Sequence, residues 1–194
     1  TAQSEWLKSA DALGNQTKIF LLEQDNKRLR RLLKLNQESS DKRISAPVIF
    51  RTYKGWWHQI DLGKGQAQGV QIGNAVIAPG GLIGRVESIT PTTSRVRLLT
   101  SPTSRIGVWS PRTNQHGMLI GIGTNKPRLR FFDKDNGLLP GDLVVTSPAS
   151  TLVPPNLPIG VIKSIDHLAL PSPHAVVQLI ASPEQTDWVQ IQIR

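Results

Sequence analysis

The chain contains no cysteine, which excludes a disulfide scaffold, a thiolate zinc site and a thiol nucleophile. That absence leaves the compartment open, because a cysteine-free protein suits either redox environment. No apolar run reaches the ~18 residues that a membrane-crossing helix requires. Proline is missing from residues 1–46, which hold one glycine, Gly14, of the sixteen in the chain. The same stretch carries 15 of the 37 charged residues. A breaker-free segment with one residue in three charged reads as a solvated helix. Beyond it the density of Gly and Pro predicts short strands joined by turns. This split excludes one uniform α/β domain. A chain that opens on Thr1 reads as a fragment, with any signal or membrane anchor lying upstream of it.

The net charge of +9 over 194 residues is spread over both parts. A basic soluble protein is therefore favoured over a dedicated polyanion binder, which concentrates its charge in a stripe. In the first segment a heptad frame places Ile19, Asn26 and Leu33 at a positions and Leu22 and Leu29 at d positions. So narrow a seam buries little alone and predicts a parallel helical dimer through Ile19, Leu22, Asn26, Leu29 and Leu33. Asn26 takes the place of the polar a residue that sets register in two-stranded coils. Docking of Leu21, Leu22, Leu29, Leu32 and Leu33 onto the following domain is the competing reading. Gly14 is expected to fray the start of the helix. Residues 38–43 are expected to form the linker, and Pro47 forbids continuation.

The remainder contains an internal repeat. Gly69-Val-Gln-Ile-Gly73-Asn-Ala-Val-Ile parallels Gly137-Leu-Leu-Pro-Gly141-Asp-Leu-Val-Val. Ile83-Gly84-Arg-Val-Glu-Ser-Ile89 parallels Ile159-Gly160-Val-Ile-Lys-Ser-Ile165, and Val96–Pro102 parallels Val177–Pro183. Three matches in one order, at growing offsets, indicate a duplicated unit. Six candidate strands fall in each copy, and closure of each set into a small barrel removes the exposed sheet edges. The predicted fold is mainly β: an N-terminal coiled-coil helix and linker (1–45), then two tandem six-stranded barrels at 46–112 and 113–194. Exchange of strands between the barrels is left open. Gly84 and Gly160 are expected at equivalent strand corners.

No chemistry assembles from the motifs. Gly80-Gly81-Leu-Ile-Gly84 lacks the lysine of a phosphate loop and a following helix, so it reads as a turn. His58, His116, His167 and His174 match no metal-ligand spacing. No serine stands in a nucleophile motif, although a six-stranded barrel invites comparison with chymotrypsin-like proteases. No cofactor is expected. Apolar anchors for a partner are expected instead at Trp56 or Trp57, adjacent in a strand, and at Leu152 and Leu157 in a loop.

Several segments, in order, resemble the extracytoplasmic part of the rod shape-determining protein MreC family. They are Leu29-Arg-Arg-Leu-Leu33, Ala46-Pro-Val-Ile-Phe-Arg51, Ile60-Asp-Leu-Gly63 and Gly69-Val-x-x-Gly73. Gly81-Leu-Ile-Gly84-Arg-Val86, Gly141-Asp-Leu-Val-Val-Thr-Ser147 and Leu157-Pro-Ile-Gly160-Val161 continue the series. The resemblance implies a single-pass inner-membrane protein whose visible part sits on the periplasmic face. It implies no enzyme activity. It implies a scaffold that self-associates and links MreB and MreD to the cell-wall synthase and its class B transpeptidase. The competing reading is a nucleic-acid-binding protein with tandem OB- or SH3-like barrels, suggested by the charge and by Arg128-Leu-Arg130. Such modules interleave stacking aromatics with the basic residues, and here the tryptophans lie elsewhere.

Overall fold

The computed structural model describes residues 2–32, 42–52, 58–132, 137–170 and 172–193. Helix α1 spans Ala2–Leu32, about 46 Å at 1.5 Å per residue. It runs through Gly14 without a break, contrary to the expected fraying. One glycine costs only about 1 kcal/mol in a helix interior, and Lys, Leu, Glu and Gln on both sides favour the helix. Ser9 Oγ donates to the Glu5 carbonyl and Thr17 Oγ1 to that of Leu13 (both 2.9 Å), so these hydroxyls stay within the helix rather than ending it. The helix and the remainder form two separate compact units.

Among its described residues the second unit contains twelve strands: β1 (Lys42–Thr52), β2 (Gln59–Leu62), β3 (Ala75–Ala78), β4 (Gly81–Ile89), β5 (Ser94–Leu98), β6 (Arg105–Ser110), β7 (Gln115–Ile120), β8 (Arg128–Phe131), β9 (Leu143–Thr146), β10 (Pro158–Asp166), β11 (His174–Leu179) and β12 (Trp188–Ile193). All pairings are antiparallel and close into two barrels, β1-β12-β3-β4-β5-β2 and β10-β11-β8-β7-β6-β9. Alternation builds the interiors. Ile60, Leu62, Val76, Val86, Val96, Leu98, Val189 and Ile191 fill barrel one. Val108, Leu119, Leu129, Val144, Ile162 and Val177 fill barrel two.

The limits 46–112 and 113–194 do not coincide with these barrels. β1 starts at Lys42, inside the segment assigned to the linker. More consequentially, β6 closes barrel two and β12 closes barrel one. The exchange is reciprocal. β12 lies between β1 and β3 as β6 lies between β7 and β9. Each barrel is thus five strands of one repeat sealed by the sixth strand of the other. Neither can close without its twin, which explains why two small cores fold as one unit.

The repeat matches are structural equivalences. The Val86 amide donates to the Asn74 carbonyl and the Ile162 amide to the Asp142 carbonyl, both at 2.9 Å. A Cβ on Gly84 would lie 2.3 Å from the Arg97 carbonyl oxygen, and one on Gly160 2.3 Å from that of Gln178. Arg97 and Gln178 are themselves matched positions. Both glycines therefore admit the neighbouring strand to the same close approach, and a bulge follows each, between Val86 and Ser88 and between Ile162 and Ser164.

Candidate interaction surfaces

The helix seam is presented rather than buried. Ile19, Leu22 and Leu29 are 56%, 59% and 57% exposed, and Asn26 lies on the same exposed helix. Leu33 falls outside the described residues. Trp6, Leu13 and Phe20, seven residues apart, are exposed as well. The heptad frame set by Ile19, Asn26 and Leu33 left out this second apolar row, although the spacing of seven was its signal.

A groove of about 480 Å³ runs along barrel one and reaches barrel two. Ile77 and Ala78 on β3 and Trp188 and Val189 on β12 line it from the first barrel, and Leu157 and Pro158 from the second. Gly81 makes the junction possible: a Cβ there would meet the Pro158 carbonyl oxygen at 2.2 Å. Trp188 is 61% exposed and begins a strand whose next residue, Val189, is buried. The strand exchange puts β12 in this wall, so a tryptophan read as part of barrel two serves barrel one. Of the expected anchors, Leu157 lines the groove. Leu152 is exposed in the preceding loop and does not line it. Trp56 and Trp57 fall outside the described residues.

The polar residues take structural positions. His58 is buried and its Nδ1 lies 3.1 Å from Thr100 Oγ1. Burial lowers its pKa, partly countered by the charge of Glu184. His116 stacks on Trp109 with ring centroids 5.9 Å apart. Among the described residues no group of three His, Asp or Glu side chains could hold a metal ion. No described helix is long and apolar enough to cross a membrane. On β8, Arg128 and Arg130 point outward while Phe131 is buried, so that ring offers no stacking face beside the two arginines.

Among the described residues Asp142 is the best-held carboxylate. It accepts from Arg112 Nε and Nη2 at 2.5 and 2.6 Å and from the Leu139 amide at 2.8 Å. The Arg112 hydrogen bond, aided by the Leu139 amide, holds its pKa below the usual carboxylate value despite burial. The turn it closes is the counterpart of the one closed by Asn74 Oδ1 on the Gln71 amide at 2.7 Å.

A long helix ahead of two strand-exchanged barrels defines a helix-fronted double-barrel protein. The rod shape-determining protein MreC barrel core matches residues 48–192, and the chain belongs to the MreC family. It is 36% identical over 142 residues to the cell shape-determining protein MreC of Cereibacter sphaeroides, covering 72% of this chain and 46% of that one. To the MreC of Caulobacter vibrioides it is 33% identical over 150 residues, covering 77% and 43%. The chain thus spans somewhat under half the length of these relatives. Among solved structures, MreC of Listeria monocytogenes superposes at TM-score 0.83 and 26% identity, over 100% of this chain and 95% of that one. A complex between penicillin-binding protein PBP2 and MreC from Helicobacter pylori shares the fold at TM-score 0.60 and 14% identity, over 79% and 99% of the two chains.

Proposed function

We propose that this protein is a non-catalytic scaffold of the bacterial cell-elongation machinery. In this reading it is anchored in the inner membrane by a segment upstream of Thr1, with the barrels on the periplasmic face. It self-associates through α1 and docks a class B transpeptidase on the barrels, while MreB and MreD are the partners on the side of the anchor. The observation that carries the docking is the groove spanning both barrels, in which Trp188 stands exposed beside Leu157 and Pro158. An aromatic anchor in an apolar groove is the arrangement that concentrates binding energy at protein interfaces. The relative from Helicobacter pylori, solved with PBP2, supports the choice of partner. Trp56, Trp57 and Leu152 are further proposed anchors. Neither nucleic acid nor a cofactor has a place in this reading.

The test is binding to a purified class B transpeptidase ectodomain. Trp188→Ala should weaken binding by about tenfold or more, the loss of one interface hot spot, without lowering Tm, because the side chain is exposed. Unchanged binding in that variant, with loss on altering only Leu22 and Leu29, would move the docking site to the helix. Deleting residues 1–41 should shift sedimentation from dimer to monomer and leave the β circular-dichroism signal intact. A truncated protein that stays dimeric would remove the helix from the interface. A salt titration against single-stranded DNA separates the nucleic-acid reading, which demands a steep log–log slope.

A further inference from the structure

A second concave feature lies on the outer wall of barrel one, where the chain leaves it for barrel two. This cleft of about 290 Å³ is lined by Arg85, Glu87, Arg97, Thr103, Ser104, Arg105 and Ile106. Arg85 on β4 and Arg97 on β5 are directly opposite in the register. Like charges so placed destabilise a sheet. Glu87 forms an ion pair with Arg97. Arg105 is fastened at the entrance to β6, its Nη1 donating to the carbonyls of Pro102 and Ser104 at 3.3 Å. Arg85 is half-buried, and its guanidinium makes no ion pair or hydrogen bond among the described residues. Three guanidiniums thus face one carboxylate, an excess of two positive charges in a partly enclosed space.

The barrel architecture does not call for these charges. In barrel two the positions matching Arg85, Glu87 and Arg97 are Val161, Lys163 and Gln178, on the same backbone frame with the same glycine corner. A feature that the twin barrel omits, and that carries an electrostatic cost, is accounted for by a ligand. We propose that this cleft binds a phosphate or diphosphate group. Guanidinium forks match tetrahedral oxyanions through paired hydrogen bonds, and Thr103 and Ser104 add hydroxyls. An excess of two charges suits a dianion better than a single carboxylate, a group that Glu87 already supplies from within.

Titration of the whole 194-residue chain with pyrophosphate at low ionic strength, read by calorimetry and by thermal shift, tests this. Saturable binding is expected. Arg85→Gln and Arg105→Gln should each weaken it by about tenfold, the loss of one charge-assisted pair. Arg95→Gln should leave it unchanged, because that guanidinium is engaged with Asp61 at 2.8 and 3.0 Å and does not line the cleft. Without ligand, Arg85→Gln should melt no lower than the parent, since it relieves the opposition to Arg97. Co-sedimentation with phosphatidylglycerol or phosphatidylcholine vesicles separates the sources. Arg85-dependent pelleting with the anionic vesicles assigns the phosphate to a lipid headgroup, and pyrophosphate binding without pelleting assigns it to a solute. No saturation by roughly 10 mM pyrophosphate, a Kd too weak to matter, would overturn the proposal. So would equal losses in Arg85→Gln and Arg95→Gln.

Discussion

The two barrels share a backbone and differ on their surfaces. Gly84 and Gly160 meet the carbonyl of the matched residue on the next strand at the same 2.3 Å, and Gly73 and Gly141 turn with φ of 92° and 94°. Outside this frame the copies part. Barrel one has Arg85 and Arg97 where barrel two has Val161 and Gln178, and Asn74 where barrel two has Asp142 clamped by Arg112. Gly81 matches Leu157, and that asymmetry builds the groove, because only the glycine lets barrel one approach Pro158. Inward positions are held to one solution by packing. Outward positions are not, so the differences between the copies mark where to look for function.

The largest expected effect tests the strand exchange itself. Removing residues 186–194 takes away β12, which belongs to the second repeat but to barrel one. Hydrogen exchange should then show loss of protection in β1 and β3, the two neighbours of β12, before β7 or β9. Loss confined to barrel two would break the assignment.

Next in size, Gly84→Ala and Gly160→Ala should each cost about 3 kcal/mol, the upper part of the usual overpacking range, in denaturant unfolding. The obstacle in each case is a backbone carbonyl rather than a pliable side chain. Equal losses sharpen the equivalence of the copies, and a tolerated alanine in one of them breaks it.

Asp142→Asn should have a smaller effect, lowering Tm at pH 7 by about 3 °C, as expected for the loss of one interaction in a domain of this size. In the folded state the Asp142 pKa lies below its unfolded value. Its contribution is therefore present above the ordinary carboxylate pKa of about 3.9 and fades as pH falls through that value toward the folded one. Parent and variant should converge below about pH 4. A constant gap would mean that the amide costs packing rather than charge. Asn74→Ala, removing the neutral counterpart, should lower Tm without this pH dependence.

His58 gives the smallest effect. Burial lowers its pKa, so the protonated form is disfavoured in the folded state. Stability should be complete above its unfolded pKa of about 6.5 and should decline as pH falls below it. His58→Gln should flatten the Tm profile between pH 7 and 5 relative to the parent.

Much of this was legible in the chain. The absence of proline before Pro47 marked the helix over Ala2–Leu32. The Gly-x-x-x-Gly and Ile-Gly motifs marked the duplication, because only glycine admits the close approach at Gly84 and Gly160. Local chemistry determines such things: periodicity, turn residues and missing side chains act within a few positions. Which six strands make each barrel was decided only by the tertiary structure. β6 and β12 are the equivalent last strands of the two repeats and fit the same slot between equivalent neighbours, so no local pattern states which slot each fills. From that exchange follow the position of Trp188 on the wall of barrel one and the route that carries Arg105 past Arg85 and Arg97. Trp188 lies far along the chain from Ile77 and Ala78 beside it, and nothing in its spacing announces that neighbourhood. The groove and the cleft exist because two barrels that cannot close alone are sealed by each other's last strand.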